Sequence, residues 1–242
     1  MNHPQVMTPA APADGSGVMF DRIAPRYDLL NRLMSFGLDG FWRRQLVQSM
    51  SVRPGDAVLD VATGTADVAL ALAKRYPNIT LTGLDPSAAM LRVAQRKVLA
   101  HKLADRIELV SGDAQALPFA DNTFAAACIS FGIRNVPDRQ RGLEQMLRVV
   151  KPGGRICVLE LGEPEDGFLA PLVRWHVHRL VPALGAFLSG AAEYRYLQRS
   201  IAAFLPPQAF LTLCQAAGLV DCKHRRLSFG AVNLFWGQKP LR

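Results

Sequence analysis

The chain has 242 residues, 50% of them apolar and 20% charged, with Lys+Arg 28 against Asp+Glu 20 and a net charge of +8. At about 150 residues per domain this predicts one large domain with an insertion, and the apolar share excludes a mainly disordered chain. The basic balance admits nucleic acid, an acidic lipid surface or plain solubility; since the basic clusters are no larger than Trp42-Arg43-Arg44 and Lys223-His224-Arg225-Arg226, nucleic acid is not an expected partner.

Residues 1–17 are rich in Pro, Ala, Gly and Ser and read as a flexible arm, leaving 18–242 as one domain. Residues 20–50 have helical periodicity broken near Ser35-Phe36-Gly37, which predicts two short helices. From residue 56 strands and helices alternate. Strands are expected at 56–61, 79–84, 107–110, 124–130 and 155–161, with helices at 68–75, from Pro86-Ser87 to 99, and at 138–149. Lys151-Pro152-Gly153-Gly154 reads as the stop of that last helix.

Residues 162–200 interrupt the alternation with apolar and aromatic side chains and read as a helical lid. A helix at 207–217 and strands at 220–227 and 231–238 complete the chain, and so short a connection makes the last two strands antiparallel. The pattern is α/β: a parallel sheet wound with helices on both faces.

A transmembrane helix needs ~18 consecutive apolar residues. Pro206-Pro207 break the run at 200–220, and the run at 180–192 is too short. The N-terminus has neither a secretory nor a transit pattern, so a soluble, cytoplasmic protein is expected. The four cysteines, at 128, 157, 214 and 222, form no C-x-x-C and read as buried thiols. His176 and His178 stand two apart on a helix and do not share a face, so no metal site is expected.

Parallel sheets bind ligands beyond the carboxyl ends of their strands, near the point where strand order reverses. Thr65, Asp85, Asp113 and Ser130 all fall at such ends. The first strand runs through Asp60 into Ala62-Thr63-Gly64-Thr65-Ala66-Asp67, a glycine turn that lets ligand atoms approach the backbone. Asp85 closes the next strand, where a carboxylate accepts both hydroxyls of a ribose or else caps the following helix. Asp113-Ala114, followed by Leu117-Pro118-Phe119, suits the amine and face of adenine, or is a turn aspartate.

Together these make a nucleoside site for which two cofactors compete. A nicotinamide dinucleotide wants G-x-G-x-x-G, but the three positions here are Gly64, Ala66 and Ala69. S-adenosylmethionine carries no phosphate and needs a polar turn, a ribose carboxylate and an adenine pocket, which fits better. The antiparallel C-terminal pair also suits a seven-stranded methyltransferase sheet.

Four further segments are more specific: Phe20-Asp21-Arg22-Ile23-Ala24-Pro25-Arg26-Tyr27-Asp28, Leu33-Met34-Ser35-Phe36-Gly37, Ser130-Phe131-Gly132-Ile133-Arg134-Asn135-Val136 and Tyr194-Arg195-Tyr196-Leu197. With the glycine turn and Ala116-Leu117-Pro118-Phe119, they make the chain resemble the ubiquinone/menaquinone biosynthesis C-methyltransferase family over almost all of residues 20–240.

The resemblance implies a Rossmann-like class I methyltransferase fold, parallel except for an antiparallel C-terminal strand, with N-terminal helices and a lid. It implies S-adenosylmethionine contacts at Asp60, Gly64, Thr65, Asp85, Asp113, Ala114 and Ser130. It implies methyl transfer to a ring carbon of a polyprenylated quinol, with Arg134 and Asn135 associated with catalysis and Tyr27 on the helix covering the substrate. An arginine is a poor base at its normal pKa above ~12. Arg134 is therefore expected to stabilise a phenolate-like ring and Asn135 to orient its oxygen or a water, while Tyr27 either bonds the ring or packs.

Ala66 departs from the family's glycine, and its methyl group is tolerated if the backbone angle is ordinary. The segment 227–234 leans toward menaquinone-only members. The expected partners are the quinol, the inner face of a membrane touched peripherally through the insertion (Arg174, Trp175, Arg179), and a second copy of the chain. A plain lid or a dimer contact explains that insertion equally well.

Overall fold

The computed structural model describes residues 16–162 and 191–241. Seven strands form one sheet: β1 (Ala57–Val61), β2 (Thr80–Asp85), β3 (Ile107–Ser111), β4 (Phe124–Ser130), β5 (Val150–Leu161), β6 (Val220–Leu227) and β7 (Val232–Gln238), in the order β3-β2-β1-β4-β5-β7-β6. Pairings from β3 to β5 are parallel, and β7 runs antiparallel to both β5 and β6. Strand order reverses between β1 and β4, so the crevice at their carboxyl ends is the place such a sheet offers a ligand.

The sheet is covered on both faces, which is why β4 reads as an almost unbroken apolar run. One face packs on α3 (Asp39–Ser49), α4 (Asp67–Arg75) and α5 (Ala88–Ala100), through Leu46, Leu72 and Ala94. The other packs on α6 (Arg139–Val149) and α8 (Pro207–Ala216), where Leu143, Met146 and Phe210 meet Ile129, Val158 and Phe235. A third helix, α7 (Ala191–Ala202), precedes α8 in the chain. Residues 163–190, and with them most of the expected lid and its histidines, lie outside the described residues, as does the arm up to residue 15.

Three expectations are corrected. The N-terminal segment forms three α-helices rather than two: α1 (Ser16–Ile23), α2 (Tyr27–Met34) and α3. A single 3-10 turn at Ala24–Arg26 separates the first two, because Pro25 supplies no amide hydrogen to continue α1. The arm's last two residues, Ser16 and Gly17, accordingly belong to α1. Lys151-Pro152-Gly153-Gly154 is not a loop after α6 but the irregular start of β5. Val150 already pairs with Phe124, Gly153 N–H donates to Lys239 O at 3.0 Å, and Lys239 N–H donates to Gly154 O at 2.9 Å.

All four cysteines are unpaired; Cys128, Cys157 and Cys214 are buried and Cys222 is partly buried. Burial pushes the Cys157 thiol up to about 12. Among the described residues no helix is long and apolar enough to cross a membrane, and no group of three His, Cys, Asp or Glu is arranged to hold a metal.

Candidate active site

Where the strand order reverses, both adjacent strands end in left-handed backbone. Ala62 after β1 has φ +52° and Phe131 after β4 has φ +56°. These strained positions cluster where a site is expected. Gly132 follows Phe131 so closely against β1 that a Cβ there would stand 2.7 Å from Ala62 Cβ.

On the β1–β2 side, the glycine turn is tied to the end of β2. Gly64 N–H donates to Asp85 Oδ2 at 2.8 Å and Ser87 N–H donates to Asp85 Oδ1 at 2.9 Å. Each oxygen keeps accepting capacity for a hydroxyl. The helix cap falls instead on Ser87, whose Oγ accepts from Met90 N–H at 3.1 Å, so Asp85 is not the cap. Burial raises the Asp85 pKa, partly countered by the Ser87 and Gly64 amides.

Asp60 sits beneath the turn rather than on its surface. It accepts from Thr63 Oγ1 at 2.7 Å and Cys128 Sγ at 3.4 Å, and burial lifts its pKa to about 6. The expected contact from Asp60 therefore becomes support of the turn. Gly64 has φ +57°, and a Cβ built there would meet only Tyr27 Cε1, at 4.0 Å. Ala66 also has φ +66°, so its buried methyl group stands on a left-handed backbone rather than an ordinary one.

Asp113 is exposed and makes a local turn, its Oδ1 accepting Gln115 N–H at 2.9 Å, while Ala114 and Leu117 beside it are buried.

The N-terminal helices lie across this side. Asp21 accepts from Ser87 Oγ at 2.6 Å, which holds its carboxyl below the usual range. Asp28 accepts from Thr65 Oγ1 at 2.6 Å and pairs with Lys97 at 2.8 Å. Lys97 also pairs with Asp67, which Arg43 approaches to 3.4 Å. Tyr27 packs edge-on against Phe20 at 6.1 Å.

On the β4–β5 side, Arg134 and Asn135 lie in a 3-10 turn just past β4. The Arg134 guanidinium is buried. Its Nη1 donates to Glu160 Oε1 at 2.5 Å and to Phe131 O at 2.7 Å, and its backbone N–H donates to Glu160 Oε2 at 3.1 Å. Glu160, on β5, is fully buried. Arg139 Nη2 holds the Arg134 carbonyl at 3.2 Å. Asn135 Oδ1 accepts from the Tyr196 hydroxyl at 3.1 Å. Two buried polar atoms at this strand end, Ser130 Oγ and Arg134 Nε, have no partner among the described residues. Such atoms call for an explanation, and a ligand supplies one.

A model of the ubiE/COQ5 methyltransferase family matches residues 13–239. The chain belongs to this family. It is 44% identical over 230 residues to "Ubiquinone/menaquinone biosynthesis C-methyltransferase UbiE" of Syntrophotalea carbinolica, covering 95% of this chain and 96% of the relative. It is 42% identical over 223 residues to "Demethylmenaquinone methyltransferase" of Thermus thermophilus, covering 92% and 100%. Among solved structures, the [4+2]-cyclase SpnF aligns with a TM-score of 0.72 at 19% identity, covering 97% of this chain and 99% of that one. At that identity the likeness shows the fold alone, and a cyclase on the same sheet shows that fold does not decide chemistry.

The family's cofactor, S-adenosylmethionine, fits the residues present. The space over Gly64, the remaining accepting capacity of Asp85, the apolar floor of Ala114 and Leu117 and the orphaned Ser130 Oγ match a turn, a ribose and a base. The structure thus brings Gly64, Thr65, Asp85, Ser130, Arg134 and Asn135 to neighbouring strand ends, with Tyr27 above the turn and Asp113 at the rim.

Sequence reasoning did not single out Glu160, Lys97 or Arg139, and it named Asp28 only within a matching segment. Glu160 did leave a trace, as one charge within the apolar run Ile156-Cys157-Val158-Leu159-Glu160-Leu161. Tyr196 stood in a named segment without a role.

Proposed function

We propose that this chain methylates a ring carbon of a polyprenylated quinol, converting a demethylmenaquinol to a menaquinol. S-adenosylmethionine, when bound, supplies a sulfonium methyl group whose transfer removes the sulfur's positive charge. Asp85 holds the ribose, Asp113 and Ala114 the adenine edge, and Gly64 and Thr65 the amino-acid end; Asp60 keeps the turn in shape. In-line placement at about 3–3.5 Å supplies much of the rate enhancement, and Ser130 and Tyr27 border that path.

The ring carbon becomes nucleophilic as the neighbouring hydroxyl gives up its proton. Once the methyl group is on that carbon, the carbon sheds its own hydrogen as a proton and the oxygen is reprotonated, which restores the aromatic quinol with one proton released overall. Arg134 keeps its own proton on Nε and donates it as a hydrogen bond to the developing phenolate. Glu160 holds Nη1, which leaves the Nε–H as a buried donor of this guanidinium without a partner among the described residues. Asn135, steadied by Tyr196, orients the oxygen or the water that carries the proton away. The observation that carries this reading is the buried Arg134 guanidinium, clamped by Glu160 yet with an Nε that has no partner among the described residues. A fixed donor in a low-dielectric site stabilises charge that forms only in the transition state.

The naphthoquinol choice is supported by the segment 227–234 and by the printed name of the Thermus relative. The acceptor's isoprenoid tail places the reaction at the periphery of a membrane, on its cytoplasmic side. Incubation with methyl-labelled S-adenosylmethionine and either demethylmenaquinol or the matching benzoquinol, read by mass, tests the proposal. A labelled methyl on the naphthoquinol ring is expected, and label on neither quinol rejects the reading.

A further inference from the structure

We propose that α2, the turn into α3 and the tip at Ser228–Gly230 form the surface that docks on an anionic bilayer; this rests on the tailed acceptor argued above. Nine large apolar side chains are exposed among the described residues, and six of them fall here: Leu29, Leu33, Phe36, Leu38, Phe41 and Phe229. Leu29 and Leu33 lie one turn apart on α2, and the chain continues without a break through Leu38 to Phe41 on α3. Trp42 Nε1 then donates to Ser228 Oγ at 2.8 Å, which joins the tip to α3.

Phe229 is the most telling residue. It is 63% exposed, and both it (φ +58°) and Ser228 (φ +46°) are held in the left-handed region. An exposed aromatic ring gains nothing from the fold that would offset such a backbone, and strain of this kind concentrates at functional positions.

The charges select the occupant. Arg26 and Arg32 flank the leucines of α2, Arg44 follows Phe41, and Arg225 reaches α3 through Gln45 at 3.2 Å. The acidic residues of this stretch are already engaged: Asp28 by Lys97 and Thr65, Asp39 by Arg43 and Ser35. A second copy of the same face would set like charges together. Exposed leucines and aromatics bordered by arginines suit lipid headgroups over acyl chains. The same α2 carries Tyr27 and Asp28 onto the cofactor turn, which sets this face beside the site.

The test is co-sedimentation of the full chain with vesicles of phosphatidylcholine mixed with phosphatidylglycerol, against phosphatidylcholine alone. Binding is expected to the mixed vesicles and to be at least about tenfold weaker on the neutral ones. Phe229→Gly removes the ring and relieves the backbone, since glycine takes positive φ without a Cβ clash. It should weaken vesicle binding about tenfold while its melting temperature holds or rises. Leu29→Ser with Leu33→Ser should weaken binding similarly.

Wild type left in the supernatant with both vesicles, or variants that bind as wild type, would overturn the docking surface. So would a wild-type dimer that Phe229→Gly turns into a monomer. Methyl transfer to a short-tailed soluble quinol should be unchanged in Phe229→Gly. If wild type lacks that transfer but sediments as expected, the functional reading fails and the docking surface stands.

Discussion

The two sides of the crevice are built differently. On the β1–β2 side, the two carboxylates are fixed by backbone amides: Asp85 by Gly64 and Ser87, Asp113 by Gln115. On the β4–β5 side, the groups are fixed by side chains from distant segments: Arg134 by Glu160, and Asn135 by Tyr196. Backbone turns make a site that tolerates change in its surroundings. A buried ion pair makes one in which each member depends on the other, because removing one partner leaves an uncompensated charge.

The comparison is broken most sharply at Arg134. Arg134→Gln should lower turnover on the order of 100- to 1000-fold with cofactor affinity, measured by calorimetry, nearly unchanged. Glu160→Gln should lower turnover in the same direction and cost about 3 kcal/mol in stability. If either variant lost cofactor binding instead, the two sides would not be separable.

Asp60 offers the next largest effect, through pH. Its pKa, lifted to about 6 by burial, exceeds the ordinary value of 3.8, so the folded chain holds a proton that the unfolded chain releases. The stability it contributes is complete below about pH 4 and is lost as pH rises through about 6. That loss is on the order of 3 kcal/mol, and Asp85, raised the same way, adds to it. Denaturant melts of wild type and Asp60→Asn across this range should show a slope in the first that is flatter in the second. Equal slopes would remove Asp60 as the cause.

Asp85→Asn should weaken cofactor binding by about ten- to a hundredfold, the worth of a charged hydrogen bond of about 1.5–3 kcal/mol. Turnover at saturating cofactor should recover, which places the effect on the binding side. The smallest effect belongs to Ala66→Gly. Relief of a left-handed alanine gains about 1–2 kcal/mol, while a lost buried methyl group and a freer unfolded chain take back about as much. Stability should change by less than about 1 kcal/mol, whereas Ala66→Val should lose clearly more, since a branched residue at φ +66° is a true outlier. Equal melting temperatures for the two variants would contradict the strained turn.

The same contrast explains what the sequence made legible. The strands and the glycine turn follow from local pattern, and β4 falls at 124–130 as expected. Asp85 was ambiguous between ribose and cap until Ser87 took the cap, a choice made by three-dimensional geometry. Glu160 was passed over because a lone acid in an apolar strand declares a partner without saying which one. Asp28 and Lys97 lie 69 positions apart and meet only because α2 folds back across the sheet. The irregular start of β5 was misread because its glycines resemble a helix stop, while the pairing with Lys239 that defines it comes from the other end of the chain.

The fastening of α1 and α2 by Asp21 to Ser87 and Asp28 to Thr65 has a kinetic consequence. Both fasteners grip residues beside the proposed cofactor turn, so loosening them is expected to ease the departure of a guest. Residence time, more than equilibrium occupancy, is therefore the quantity these two aspartates govern. Weakening either one should shorten the dwell of spent cofactor and hasten the next cycle wherever departure is the slow step.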